Sequence, residues 1–342
     1  MSSDFETPSY ISKIAKVKEV VNSETTNGQE QVVKLEIYNP KSTNDEVYIT
    51  NVIPANQAFA ILAKKDHKYI VTIDNESNQV YISDYYREPT VIGLIIIFII
   101  TVIAIGRSKG VKALLSLALT GLGVVYIFIP AIKNHWEPIP IAILVSAFAT
   151  LVTMILIAGF NKKSLAATLG TVGGVTIAGF LGIIATKIAP LSGLASQEAQ
   201  ILLANQTETY DFQGILAAGV LISSLGAAMD VAISIASATQ EIHETDLNQS
   251  SRALFQHAMN VGKDIMGTMI NTLILAYAGS SVPLFLILYN QSQVRFLNLE
   301  IIATELISAT AGSIGLILAI PITAAISVFL LKKLKPKDML TS

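Results

Sequence analysis

From residue 89 onward the chain consists mainly of long apolar runs, and these runs limit the folds that it can adopt. The first, PTVIGLIIIFIITVIAIG (89–106), has eighteen residues without a charged side chain. A helix needs roughly 20 apolar residues to cross a hydrocarbon core about 30 Å thick. Because backbone groups in lipid must find hydrogen-bond partners within the protein, such runs predict membrane-spanning helices.

Seven stretches qualify as spans, and they predict a mainly α-helical, polytopic transmembrane bundle over residues 89–342. The composition agrees, since 52% of the residues are hydrophobic and only 14% are charged, against about a quarter charged in soluble domains. The lipid bilayer is therefore the first expected partner. The predicted spans are 89–106, 113–132, 139–160, 165–186, 214–239, 265–289 and 301–331.

Basic residues in the connections predict the orientation of this bundle in the plasma membrane. Eleven lie in alternate connections and only three in the others, and Lys and Arg accumulate on the cytoplasmic side. We therefore expect a cytoplasmic C terminus and, with an odd number of spans, residues 1–88 outside. Nothing in the sequence explains how residues 1–88 cross the membrane, which indicates a missing preceding helix or a misassigned start. The eleven are Arg107, Lys109, Lys112, Lys162, Lys163, Arg252, Lys263, Lys332, Lys333, Lys335 and Lys337; the three are Lys133, Lys187 and Arg295.

Residues 1–88 resemble a soluble β domain. Five segments alternate apolar with polar residues and are separated by turn-forming residues, the pattern of short strands. Five strands in this length predict a small OB-like barrel or sandwich outside the cell. Its role is either recognition of a ligand or partner, or simply that of a spacer against the loops. The predicted strands are 11–21, 30–39, 46–53, 68–74 and 78–86.

Charge, cysteine content and motifs exclude several classes of function. A net charge of −2 does not provide the basic face that a nucleic-acid partner requires. The absence of cysteine excludes disulfides, thiolate chemistry and cysteine-based metal sites. No P-loop, nucleophile elbow or zincin motif occurs, so neither an enzyme nor a cofactor is expected. Possible metal ligands between the fifth and sixth spans match no zinc template, and their segment is more typical of an amphipathic interfacial helix: Glu241, His243, Glu244, Asp246, His257 and Asp264.

The stretch GAAMDVAISIASATQE (226–241) places a carboxylate, Asp230, inside an apolar span. It lies 16 residues after Gly214, about 24 Å along a helix at ~1.5 Å per residue. A carboxylate at the centre of a span costs roughly 2.5–3.5 kcal/mol, so it normally faces the bundle interior or water. Residues three or four apart share a helix face, and that face also carries Ser223, Gly226, Ser234, Ser237 and Glu241.

A second polar stripe lies in NVGKDIMGTMIN (260–271) of the next span. Antiparallel neighbours with small and polar stripes are expected to pack stripe to stripe and to bond across. This predicts a wetted ion- or substrate-binding site, with a simple clamp between Asp230 and Asn271, Thr268 or Lys263 as the alternative. The predicted site comprises Asp230, Ser234, Ser237, Asn260, Asp264, Thr268 and Asn271; secondary candidates are Glu241, Glu305 and, in the glycine-rich fourth span, Thr171.

Several long motifs resemble the YibE/F family of bacterial membrane proteins. They are LGAAMDVAISIASATQEI, MNVGKDIMGTMINTLILAYAGSSVPL, GSIGLILAIPITA, YISDYYREP, GRSKG and GFNKKSLAATLGTVGG. The resemblance implies a polytopic plasma-membrane protein, and no family catalytic residues carry over. Members are often encoded as neighbouring pairs, which implies assembly with a paralogous subunit. Members usually have an apolar helix before the β domain, which would make an intact relative of this chain eight-spanning.

Three functions are compatible with these features. The interior polar stripes and the carboxylate favour a transporter or permease subunit for a small solute or ion. A non-catalytic membrane partner or scaffold, recognising something through its β domain, is the alternative. An intramembrane two-aspartate protease using Asp230 and Asp264 is disfavoured, because neither aspartate lies in a glycine-flanked signature.

Overall fold

The computed structural model describes residues 10–25, 28–38, 45–53, 60–204, 210–289 and 292–333. The described residues are mainly helical, at 71%, and the chain separates into two compact units, Met1–Thr101 and Val102–Ser342. The first unit contains an antiparallel sheet, and the second contains a helical bundle. The boundary predicted at residue 88 stays a prediction.

All five predicted strands are present and form one antiparallel sheet in the order β3-β2-β1-β4-β5. The long first strand organises the sheet, because it pairs with β4 over its first half and with β2 over most of its length. A bulge at Lys18 interrupts its register with β2, and bulges bend and twist a strand. Closure of the sheet into an OB-like barrel is not confirmed. The strands are β1 (Tyr10–Thr25), β2 (Gly28–Ile37), β3 (Asp45–Ile53), β4 (Lys68–Asp74) and β5 (Val80–Tyr85).

One face of the sheet is buried, as the alternating pattern predicts. The buried face is apolar apart from one amide, Gln31, which is only 5% exposed. Its Oε1 accepts from the Ala63 N–H (2.8 Å), and its Nε2 donates to the Ala63 carbonyl (3.2 Å). Gln31 therefore ties the segment before β4 to the sheet. The apolar core contains Ala15, Val17, Val33, Leu35, Ile37, Ile49, Ala63, Tyr69 and Val71.

Replacing Gln31 by leucine is expected to release this segment from the sheet. Both polar backbone groups of Ala63 would lose their side-chain partner, at a cost of roughly 1–3 kcal/mol for buried groups. Exchange of the Ala63 amide hydrogen should then accelerate by about tenfold or more, since ~1.4 kcal/mol corresponds to a factor of ten. Hydrogen–deuterium exchange of the full chain measures this. Gln29→Leu, at an exposed position of the same strand, should leave the exchange unchanged, and equal acceleration in both variants would contradict the assignment.

The helical elements follow the sheet in the chain. Several begin at a side-chain cap of the kind that helix N-termini favour: Asn161 accepts from the Ser164 N–H (2.8 Å), and Asp211 accepts from the Gly214 N–H (2.9 Å). Gly159, at φ +80°, follows the third helix, a conformation that glycine adopts without strain. The helices are α1 (Glu88–Gly123), α2 (Ile129–Lys133), α3 (Pro138–Ala158), α4 (Lys162–Ile188), α5 (Gln197–Ala204), α6 (Phe212–Thr245), α7 (Ser251–Ser280), α8 (Val282–Leu288), α9 (Gln293–Asn298) and α10 (Glu300–Lys333), with a π-helical turn (Val124–Phe128) between α1 and α2.

The stretch from α1 to α2 is helical except at Arg107, where α1 bends sharply. Arg107 has non-helical dihedral angles, φ 48° and ψ −129°. A Cβ on Gly110 would collide with the carbonyl of Val102, although eight residues of straight helix would separate the two by about 12 Å. The chain therefore turns back on itself at Arg107, between the first two predicted spans.

The bundle is built around α4, α6 and α10, with α3 packed on α4 and α6, and α7 packed on α6 and α10. Glycines allow the closest contact, between α4 and α10. A Cβ on Gly174 would lie 2.6 Å from the Gly315 carbonyl and 2.7 Å from the Ala319 Cβ. Close approach through small residues is the usual way in which membrane helices associate. Glycines in a membrane span favour either tight packing or a local break in the helix. In α4 they serve packing, because the helix runs unbroken through them.

Five segments of the described residues are long and apolar enough to cross a membrane, so the predicted count of seven is not confirmed. The first two predicted spans lie in one helical stretch of 46 residues. The predicted sixth span is divided, because α7 begins at Ser251, includes Lys263 and Asp264, and ends at Ser280 before the apolar α8. The five segments are Glu88–Lys133, Pro138–Ala158, Lys162–Ile188, Phe212–Thr245 and Glu300–Lys332.

The segment between the fifth and sixth predicted spans differs from the expected interfacial helix. Helix α6 continues to Thr245, and α7 begins at Ser251, whose preceding residue Ser250 accepts from the Ala253 N–H (3.2 Å). The polar segment therefore belongs to the ends of two long helices joined by a short connection. Lys332 of α10 contacts this connection: its Nζ donates to the Leu247 carbonyl (3.1 Å). This hydrogen bond holds the connection against the end of α10.

Candidate functional site

Helices α6 and α7 pack as antiparallel neighbours, as the sequence predicts. Ser223 of α6 shares a hydrogen bond with the Tyr277 hydroxyl of α7 (2.5 Å). Further along, a Cβ built on Gly262 of α7 would lie 3.3 Å from the Ile235 Cδ1 of α6. These two contacts set the register, in which Asp230 is level with Thr268, and Ser234 is level with Asp264.

The polar stripe of α6 lies on the side of the helix turned away from the bundle core. Asp230 and Ser234 are exposed and Ser237 is half-buried, whereas Ala228 and Ala232 are completely buried. At about 100° per residue, those two alanines lie opposite Asp230. The apolar side of α6 therefore forms the core, and the carboxylate points outward.

The polar stripe of α7 has the same relation to its own helix. Asn260, Asp264, Thr268 and Asn271 are all exposed. Gly262, two positions from both Asn260 and Asp264, is buried against Ile320 of α10. The outward side of α7 is therefore polar over the length of the predicted site.

The expectation that the two stripes pack against each other is wrong. Around Asp230 and Ser234, Val231 and Ile235 of α6 instead belong to an apolar cluster with Ala258 and the methionines of α7, which also includes residues of α10. The Ser223–Tyr277 hydrogen bond is the polar exception between the two helices. Alternation of apolar and polar faces predicts which residues share a face, but two apolar faces can join as readily as two small polar ones. Both stripes thus remain on outer surfaces of the described chain.

The polar residues of the two stripes nevertheless lie at similar levels along the axes of α6 and α7. The α6 stripe from Ser223 to Glu241 covers about 27 Å at ~1.5 Å per residue, close to the ~30 Å of a hydrocarbon core. By the register given above, Thr268 and Asp264 of α7 accompany its central part. Together the two helices carry a nearly continuous polar ladder across the thickness of a bilayer.

The electrostatic environment leaves the Asp230 carboxylate without a balancing charge. The ion pairs within the described residues all lie in the sheet unit, up to Arg87. In the same residues neither Asn271, Thr268 nor Lys263 donates a hydrogen bond to Asp230. The Ser234 hydroxyl donates to the Asp230 carbonyl (2.7 Å), and the Thr268 hydroxyl to the Ile265 carbonyl (2.9 Å). The clamp interpretation therefore has no contact to support it.

The secondary candidates lie apart from one another. Thr171 is completely buried in α4, and its hydroxyl has no hydrogen-bond partner within the described residues. Glu241 is exposed near the end of α6. Glu305 is half-buried near the start of α10. Sequence reasoning missed Tyr277, because it lies off the polar stripe of its helix and reaches Ser223 only through the length of its side chain.

The described residues offer no group of three or more His, Asp or Glu side chains arranged to hold a metal ion. The predicted metal-capable residues are spread over the ends of α6 and α7. The acidic residues of the two stripes are likewise single groups at successive levels. A closed Ca²⁺ shell, by comparison, takes six to eight oxygen ligands.

The helices that carry the two polar stripes fall within the region matched by a known protein family. The model of the YibE/F-like protein family matches residues 94–333. This chain belongs to the YibE/F-like family. The match includes α3, α4, α6, α7 and α10, and hence both polar stripes. No curated protein and no solved structure matches the chain. Membership and the apolar helices together identify a membrane protein.

Proposed function

We propose that this YibE/F-like protein is a subunit of a transporter or permease for a small solute or ion, with no enzymatic activity. The observation that carries the proposal is the polar ladder on the outward sides of α6 and α7. A carboxylate in the hydrocarbon region is retained only where it meets water or a polar partner. The Asp230 carboxylate has no polar side-chain partner within the described residues, so we infer that the outer surface of α6 and α7 is covered or wetted.

The simplest covering is a second membrane subunit, either another copy of this chain or a paralogous YibE/F-type chain. Polar side chains on facing helices then enclose an aqueous path between the subunits. Asp230 supplies the charge that attracts a cation or carries a proton, and the hydroxyl and amide groups of the ladder solvate it. Ser234, Ser237, Asn260, Asp264, Thr268 and Asn271 are the proposed lining.

The finer topology belongs to the same proposal. The sharp bend at Arg107 supports two crossings between Glu88 and Lys133, and α7 together with α8 supports a crossing after residue 260. This makes seven crossings, with the C terminus in the cytoplasm and the sheet unit outside, as the basic residues predict. Lys335 and Lys337, which contribute to that prediction, lie outside the described residues.

An OB-like closure of the sheet is also proposed. The edge strands β3 and β5 approach each other, although they do not pair through backbone hydrogen bonds within the described residues. This unit contains the observation that favours the scaffold alternative, a cavity of about 660 Å³ whose lining includes Asn22, Gln29 and Gln31. Amide groups around a cavity suit recognition of a polar ligand or segment.

Single cysteines test whether the ladder is wet, and the cysteine-free chain provides a clean background. We expect cysteines replacing Ser234 or Thr268 to react with a charged, membrane-impermeant thiol reagent, because only a hydrated thiol ionises to the reactive thiolate. Mass spectrometry of the full chain in native membranes measures the labelled fraction. Leu151→Cys, at an exposed apolar position of α3, is the matched control and should stay unlabelled.

The same variants identify the partner. A disulfide-linked dimer of the Ser234→Cys chain would assign the covering subunit to a second copy. Its absence, together with protection of Ser234→Cys by a paralogous chain, would assign it to that paralogue. Labelling of Ser234→Cys and Thr268→Cys as slow as that of Leu151→Cys would contradict an aqueous path.

A further inference from the structure

The inner face of the sheet ends in a row of amides toward the C-terminal end of β1. Asn22, Gln31 and Asn51 lie directly opposite one another on β1, β2 and β3. The neighbouring row on the same face, two residues away along each strand, is apolar and packs in the core. A cavity of about 660 Å³ adjoins the amide row, with Asn22 and Gln31 in its wall. The sheet therefore opens at this end into a space with a partly polar wall.

Hydrogen bonds fix the orientation of the amides in this row. The backbone N–H of Ala63 can only donate, so the Gln31 atom that it contacts (2.8 Å) is Oε1. The Gln31 Nε2 is therefore the group that donates to the Ala63 carbonyl (3.2 Å) and to Asn22 Oδ1 (2.9 Å). Gln31 is only 5% exposed, so this arrangement is part of the core and holds the oxygen of Asn22 toward Gln31.

The fixed orientation leaves one donor for a ligand. With its oxygen committed to Gln31, Asn22 offers the two N–H groups of Nδ2, which make no hydrogen bond within the described residues. Asn22 is exposed and belongs to the wall of the cavity. A donor that is already held in place loses little conformational freedom when it binds, and this favours affinity.

The rest of the lining carries one positive charge and no negative charge. Lys64 is exposed, and its ammonium takes part in no ion pair in the part of the chain that the structure describes. Ser23 and Gln29 add a hydroxyl and a further amide to the wall. A fixed N–H donor and a cation in one cavity suit an oxyanion, because hydrogen bonds to ionised oxygens are stronger than neutral ones.

The size of the cavity indicates more than a bare ion. Sites for small organic molecules have volumes of roughly 300–1,000 Å³ and combine apolar surface with a few polar groups. The cavity lies within this range, and Ile53 and Leu62 supply apolar surface beside the polar groups. A sugar acid or a sugar phosphate combines an oxyanion, hydroxyl groups and apolar C–H surface in one molecule.

We infer that this cavity binds a small anionic sugar derivative, whose carboxylate or phosphate group accepts from Asn22 Nδ2 and pairs with Lys64. Ser23 and Gln29 bond its hydroxyl groups. The site is formed by residues of the sheet unit alone, so it does not depend on transport along the polar ladder. It gives the sheet unit a ligand of its own, which the proposed topology places outside the cell.

Ligand-observed saturation-transfer NMR of the full detergent-purified chain tests the site. The probes share one pyranose ring and differ in charge: glucose, glucuronate and glucose 6-phosphate. The wild-type chain should bind at least one of the two anions about tenfold more tightly than glucose, a factor that corresponds to ~1.4 kcal/mol. Tighter binding of glucuronate assigns the oxyanion as a carboxylate, and tighter binding of glucose 6-phosphate assigns it as a phosphate.

Two substitutions at exposed side chains locate the binding. Asn22→Asp keeps an oxygen for Gln31 but replaces the donor by a second carboxylate oxygen, so both anions should bind at least tenfold more weakly. Lys64→Gln should bring the anions and glucose to equal affinity. Lys65→Gln is the control, because this exposed neighbour is not part of the wall and its loss lowers the net charge by one, as the other two substitutions do. It should bind all three probes as the wild type does.

The outcomes that overturn the site are equally definite. A wild-type chain that binds neither anion, or binds glucose as tightly as both, would overturn the anionic ligand. Binding of the anions by Asn22→Asp at the wild-type level would overturn the cavity as the site. A loss in Lys65→Gln as large as that in Lys64→Gln would reduce the effect to general surface charge. None of the three positions lies in the polar ladder, so failure of this site and failure of transport are told apart by measuring binding and flux separately.

Discussion

Replacing Gly174 by leucine is expected to prevent α4 and α10 from packing and so to destroy the folded bundle. A single Cβ at this position would already lie 2.6 Å from a backbone carbonyl and 3.1 Å from the Ala319 Cα, and backbone atoms cannot rotate away as a side chain can. Overpacking in a tight core costs roughly 1–3 kcal/mol even for small additions. A whole leucine side chain must separate two of the three central helices. Thermal unfolding of the detergent-purified chain, followed by size-exclusion chromatography, measures the loss.

Gly219→Leu in α6 is the matched control. This glycine also lies inside a long helix, but a Cβ built on it meets nothing within 4 Å. Both substitutions replace glycine by a better helix former, worth up to about 1 kcal/mol in helix propensity, so the difference between them isolates the packing. Gly174→Ala should give an intermediate loss. Equal stability of the two leucine variants would mean that α4 and α10 do not touch at Gly174.

The sheet illustrates what sequence can predict well. Its strands alternate apolar with polar residues along much of their length, and turn-forming residues separate them, so each strand can be recognised by itself. The order of the strands is not visible in this way. It depends on the sixteen-residue β1, whose two ends pair with different neighbours.

The apolar helices were predictable as elements but not as separate crossings. Hydropathy does not respond to a single dihedral angle, and the turn at Arg107 leaves the helical hydrogen-bonding pattern intact on both sides. At α7 the predicted span begins too late. Residues 251–264 are too polar to be recognised by hydropathy, although the helix already begins at Ser251. Cap residues such as Ser250 mark that start better than the apolar run does.

The composition of the polar stripes was predictable, and their direction was not. Periodicity identifies Asp230, Ser234 and Ser237 as one face, because that follows from helix geometry alone. In a soluble protein the polar side of a helix faces outward by default. In a membrane either side can face lipid, so only packing decides, and here the alanines opposite Asp230 form the core.

An outward carboxylate changes what completes the site. If the stripes had met each other, one chain would suffice to enclose the path. Since each stripe opens outward, the proposed path requires a partner beyond the described chain to close it, and the cost of an unpaired carboxylate in lipid favours assembly. Burial of Asp230 is thus expected to couple assembly of the subunits to formation of the path.

Replacing Asp230 by asparagine is expected to abolish solute or ion movement while the protein accumulates normally. Asparagine has nearly the same shape and keeps hydrogen-bonding capacity, but it carries no charge and cannot take up a proton. If the carboxylate contributes about 2.5–3 kcal/mol to a cation or proton in the path, flux should fall by roughly two orders of magnitude. The measurement is flux in proteoliposomes of the full assembly, for each solute or ion that crosses with the wild-type chain.

Three companion variants show where such a loss originates. Asp230→Glu keeps the charge and should retain measurable flux, whereas Asp264→Asn, one helical turn deeper by the register of α6 and α7, should reduce flux less. Asp230→Leu should make the isolated chain more compatible with lipid and weaken its association with the covering subunit. Full flux in Asp230→Asn, with the assembly intact, would remove this carboxylate from transport. It would favour the scaffold function instead, in which the sheet unit recognises a ligand and the stripes serve only to join the subunits.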